Sequence, residues 1–93
     1  MTKAEVVAEI AALLGVETPH MSTGSSEPKR IFELANEVLG LGLAPELLKP
    51  ELARAVAQSA GLSWSATCES RGARVTLEGL LQVRDAVSQL LQG

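Results

Sequence analysis

PELARAVAQSAG, residues 50–61, is the stretch on which the fold turns. Leu52, Ala53, Val56, Ala57 and Ala60 recur at the spacing that lines one face of an α-helix. Pro50 stands at the start, where a missing backbone donor costs nothing. Gly61 stands just past the end, where it permits the left-handed conformation that closes a helix. The stretch therefore predicts a short helix with an apolar face and two defined ends. A helix this short is marginal alone in water, so its face must be buried against others of the same kind.

Those others are present on both sides. In residues 2–15, Thr2 and Glu5 have capping-box spacing. Val6, Val7, Ile10, Leu13 and Leu14 then form a helical stripe, with Glu5 and Glu9 toward solvent and Gly15 as the stop. Residues 16–28 are rich in Ser, Thr, Gly and Pro and read as a loop. Ser25 or Ser26 caps a second helix on this reading, with Pro28 in its first turn and Ile31, Leu34, Ala35, Val38 and Leu39 inward. Two glycines at 40 and 42 end it, and residues 45–48 have room for a short helical turn. A last helix starts at Thr76 and runs to about Leu91, with Leu77, Leu80, Leu81, Val87 and Leu91 as its stripe. Gly79 slightly weakens its first turn.

Composition agrees. The chain has 93 residues, enough for one modest core, and the reading is a single domain over residues 1–93. Its hydrophobic fraction of 46% comes mainly from Ala, Leu and Val, and Phe32 and Trp64 are its only aromatics. Ala and Leu favour helices, whereas a sandwich or barrel wants more β-branched and aromatic residues. The fold expected is all-α, a compact bundle of four to five helices, with a short β turn possible in the segment before the last one. Cys68 is the single cysteine, which excludes an intramolecular disulfide and points to a reducing, cytoplasmic setting. No apolar run is long enough to span a membrane.

Chemistry is sparse. His20 and Cys68 are far apart in sequence, without the turn that a catalytic nucleophile needs. One His and one Cys fall short of a zinc ligand set, and no glycine pattern cradles a phosphate. The expectation is no catalytic residue, no metal and no cofactor, hence not an enzyme in this chain alone.

Charge is distributed unevenly. The net charge is −3, but residues 1–46 hold three basic and seven acidic side chains, against five and four in residues 47–93. A nucleic-acid partner would meet the second half or the Lys29–Arg30 pair.

Residues 52–67, LARAVAQSAGLSWSAT, place Ala57 four positions before Gly61, with Leu62 after it. That spacing resembles a helix-turn-helix unit, which would make residues 64–70 a recognition segment presenting Ser65, Thr67 and Arg71. Thr67 and Ser70 depart from it, standing where such units bury aliphatic residues. Three stretches, STGSSEPKRIFEL, KPELARAVAQSAGLSW and ESRGARVTLEGL, also resemble a small helical module of bacterial restriction endonucleases of the HNH or McrA-like kind. The resemblance covers under half of the chain and implies an accessory or recognition domain, with the nuclease elsewhere.

The function expected is a non-catalytic DNA-binding module of a bacterial restriction or defence protein. Lys29, Arg30, Lys49, Arg71 and Arg74 would meet phosphates, and Ser65 or Thr67 would read bases. The alternative is a helical protein-interaction or oligomerisation domain, with a protein partner or a homodimer. Trp64 is either a core anchor or a stacking surface.

Overall fold

Four α-helices account for most of the described chain: α1 (Lys3–Leu14), α2 (Lys29–Leu39), α3 (Lys49–Ser59) and α4 (Leu77–Gln92). Between α3 and α4 lie a three-residue 3-10 turn, Ala66–Cys68, and an antiparallel hairpin of β1 (Glu69–Ser70) and β2 (Arg74–Val75). The computed structural model describes residues 2–20, 28–44, 46–72 and 74–93. The expected all-α bundle is present, and so is the short β excursion before the last helix.

The longest helix, α4, packs against both α1 and α3, while α2 packs on α3 and α1. Phe32, Ile10, Ile31, Leu52 and Leu80 are the largest of the fully buried side chains. Among the described residues, no helix is long and apolar enough to cross a membrane.

The end of α1 farthest from Gly15 is closed as its sequence dictates. Thr2 Oγ1 accepts from the Glu5 N–H at 3.2 Å, and Glu5 Oε1 accepts from the Thr2 N–H at 2.8 Å. The Thr2 backbone donor, then its hydroxyl, holds the Glu5 carboxyl below its ordinary value. A carboxyl depressed in the folded state contributes stability above the ordinary glutamate pKa, and loses it as pH falls through the folded pKa. Thr2→Ala is accordingly expected to cost about 1 kcal/mol in urea unfolding at neutral pH. On the acid side, stability should fall less steeply for Glu5→Gln than for the wild type.

Three parts of the predicted inner faces are corrected. In α1, Leu13 is 40% exposed, and Ala11 takes the place beside Leu14 in the core. In α2, Phe32 is fully buried with Ile31 and Ala35, whereas Val38 is 46% exposed and Leu34 is half-buried. The apolar residues of the helix span an arc of about 160° at the 3.6-residue period, wide enough for either edge to face the core; the Phe32 side went inward. In α4, Val83 and Ala86 join Leu80 and Val87 in the core, while Leu91 is 46% exposed in the last turn.

Helix ends differ in part from expectation. Pro28 is the N-cap of α2, with no side-chain cap bond, and does not stand inside the first turn. The proposed caps Ser25 and Ser26 lie outside the described residues. Residues 46–47 form a turn, not a helical turn, and Pro45 lies outside the described residues. The Asn36 side chain ties this connection down, donating to Leu43 O at 3.1 Å and accepting from Leu43 N–H at 2.9 Å.

The Ala57–Gly61–Leu62 spacing has a local cause. Gly61, at φ +78°, donates to Gln58 O at 2.9 Å, and Leu62 donates to Ala57 O at 3.1 Å. This paired closure is a Schellman motif, an ordinary helix stop. No second helix follows it: residues 62–65 are irregular, and the expected recognition segment is the 3-10 turn and β1. The helix-turn-helix expectation is thereby corrected. Polar Ser63, Ser65 and Thr67 supply no apolar stripe with which a second helix could dock.

Candidate nucleic-acid interface

The hairpin carries two of the candidate cations, Arg71 and Arg74. Glu69 pairs with Val75 and Ser70 with Arg74, and Gly72, at φ +80°, makes the turn between the strands. The base of the hairpin is anchored. Val75 and Cys68 are fully buried, and Thr76 N–H donates to Cys68 O at 2.9 Å. The Thr76 hydroxyl donates to Thr67 O at 2.6 Å and also accepts from Gly79 N–H, capping α4.

Trp64 belongs to this anchorage. Its ring is half-buried against the core, and its Nε1–H donates to Glu69 Oε2 at 2.5 Å. The tryptophan is thus a core-edge anchor, not an open stacking surface. The arginines of the hairpin are exposed by contrast. Among the described residues, neither Arg71 nor Arg74 takes part in an ion pair.

The other candidates stand in different surroundings. Arg30 Nη1 lies 2.8 Å from Glu37 and 3.5 Å from Glu33, and Lys29 Nζ lies 4.0 Å from Glu33. Both N-terminal cations of α2 therefore face carboxylates of their own helix. Lys49 is the first residue of α3 and is half-buried. Ser65 and Thr67 share a hydrogen bond of 2.6 Å, and Ser65 Oγ lies 3.7 Å from Cys68 Sγ. Thr67 also donates to Glu78 Oε2 in the first turn of α4. These hydroxyls serve the junction between the 3-10 turn and α4, and each would have to surrender a bond to donate to a base.

His20 is exposed and lines a cleft of about 480 Å³ with Glu17, Arg30 and Leu34. Cys68 is a buried free thiol. Among the described residues, no three of His, Cys, Asp and Glu stand together as a metal-binding group.

Sequence reasoning missed Glu69 and Glu78 as positioning groups. Their partners are five and eleven residues away across non-helical chain, where no periodic signal exists. It also missed Arg54, exposed on α3 and, like the hairpin arginines, in no ion pair among the described residues. Compared with family models, with curated proteins and with solved structures, the chain matches none of them.

Proposed function

We propose that the chain is a non-catalytic DNA-recognition module that meets phosphates with Arg71 and Arg74. One observation carries the reading: two exposed arginines, unpaired among the described residues, stand on a hairpin whose base is locked into the core. An anchored hairpin orders its donors before binding, which lowers the entropy lost on contact. The setting, a bacterial restriction or defence protein, rests on the sequence resemblance alone.

This reading is narrower than one using all five cations. Lys29 and Arg30 already have acidic neighbours, so their contribution to a phosphate track is reduced. Two phosphate contacts give a slope of about −2 in log K against log salt for duplex DNA. Titration of short duplexes across a salt series measures it. Arg71→Ala with Arg74→Ala is expected to abolish that slope and leave the melting temperature within about 2 °C, since both side chains are exposed. An unchanged slope in the double variant would sink the hairpin reading.

A second reading, a helical protein-interaction or oligomerisation domain, has its own observation. Leu13, Val38, Leu48 and Leu91 are large apolar residues at least 40% exposed, and Leu13 and Ala12 line a mostly apolar hollow of about 340 Å³.

A further inference from the structure

The charges on α2 run against its own dipole. A helix N-terminus favours carboxylates and a C-terminus favours cations. The first turns of α1, α3 and α4 obey this with Glu5, Glu51 and Glu78. All four helices lack a basic residue in the last turn, but α2 alone has no acidic residue in its first turn, which holds Lys29 and Arg30, and it carries Glu37 in its last. Helix stability alone does not select that order.

The same charges border one edge of an apolar strip that the fold covers only in part. Arg30, Leu34, Glu37 and Val38 fall within a sector about 100° wide at the 3.6-residue period. That sector adjoins Ile31 on its Val38 side and is remote from Phe32, which with Ile31 and Ala35 fills the core. Val38 is 46% exposed and Leu34 half-buried, and Leu34 borders the cleft that also holds Val16 and Pro19. Arg30 reaches along the edge of the strip to Glu37 through a pair whose side chains are 53% and 57% exposed. A pair so solvated contributes little and is readily exchanged for another.

We infer that α2 is the interface of a symmetric antiparallel dimer of this chain. In a twofold pair each contact occurs twice, residue i on j and j on i. A second copy laid antiparallel, with the axis beside Leu34, brings Arg30 of each chain to Glu37 of the other. Leu34 of each copy meets Leu34 of the other at the axis, with Val38 one turn farther out on either side. The reversed charge order thus becomes complementary, and each misplaced terminal charge faces its opposite. No other occupant is specified as closely, because the strip complements itself. The inference deepens the interaction reading by naming the partner, and does not depend on the DNA reading.

The 11-residue helix is about 16 Å long, so the contact is small and the dimer weak. Sedimentation equilibrium over a concentration series up to about 1 mM is therefore the measurement, a range that detects a dissociation constant as weak as about 1 mM. The wild type is expected to dimerise within it. Arg30→Glu alone places like charges opposite each other, and so does Glu37→Arg alone. Each is expected to weaken self-association at least about 10-fold, the effect of opposing charges in place of a pair. An equimolar mixture of the two variants restores the complementarity and is expected to form a heterodimer about as tight as the wild type. Circular dichroism checks that both variants remain helical, and Val38→Asp, at an exposed position, provides a separate disruption.

A wild type that stays monomeric throughout overturns the inference, while leaving an interaction with a different protein standing. Single variants that dimerise like the wild type also overturn it, since the contact would then lie on another face. Failure of the mixture to associate overturns the antiparallel register.

Discussion

Replacing Gly79 with alanine is expected to destabilise the fold by about 2–3 kcal/mol, the net of a favourable helix term and a larger steric one. In an exposed helix interior the same change would stabilise by about 1 kcal/mol, because alanine loses less backbone freedom. Gly79 is not exposed. A methyl group there would overlap the carbonyl oxygen of Cys68, and would stand 2.7 Å from Val75 Cγ1 and 3.1 Å from Trp64 Cη2. The valine and tryptophan are side chains, but the Cys68 carbonyl is backbone and already accepts the Thr76 N–H. Relief therefore requires the 3-10 turn, the hairpin base and the first turn of α4 to separate. For a chain of this size the melting temperature should fall by about 10–20 °C. Thermal unfolding followed by circular dichroism measures it, and a stable or higher midpoint would show that α4 does not approach the hairpin this closely.

Phe32→Ala should cost more, about 3–5 kcal/mol, the range for removing a buried aromatic from a core. Phe32 is the largest fully buried side chain and lies on the face of α2 that packs toward α1 and α3. Deleting the ring leaves a void between helices too short to collapse independently. For a domain of this length that is a large share of a total stability of about 5–14 kcal/mol. Val38→Ala on the same helix is the internal comparison, with an expected change below about 0.5 kcal/mol for an exposed site. The two together test the rotation of α2 by chemical denaturation. Comparable losses at both positions would place Val38 inside and contradict the observed rotation.

That rotation marks where sequence reasoning ends for the core. Val6, Val7, Ile10 and Leu14 of α1 were legible because they are its large apolar residues at helical spacing, although alanines elsewhere on the helix left Leu13 looking equally inward. Leu52, Ala53, Val56 and Ala57 of α3 were legible because polar residues leave one dominant apolar stripe. In α2, Leu34 and Val38 extend the apolar surface beside Ile31 and Ala35, while Phe32 lies on their other side. Both choices satisfy a helical period, and only contact with α1 and α3 separates them.

The candidate interface divides in the same way. Gly72 flanked by two arginines announced a turn that displays charge, and the hairpin has that form. The arrangement of Ser65 and Thr67 was not legible, because their bonds depend on Glu78 of a helix that begins ten residues after Thr67. Nor was the pairing of Trp64 with Glu69, which spans a bent segment without a repeating geometry.

Local chemistry alone thus determined the four main helices, their approximate ends and most of the core. Capping hydroxyls, left-handed glycines and the 3.6-residue period all act within a few residues of one another. Tertiary structure decided the face of α2 that is buried and the need for glycine at position 79. It also brought Arg84 of α4 within 3.2 Å of Glu9 of α1. Each of these depends on groups brought together from separate segments by packing, and packing is a property of volumes and distances that no single stretch of sequence contains.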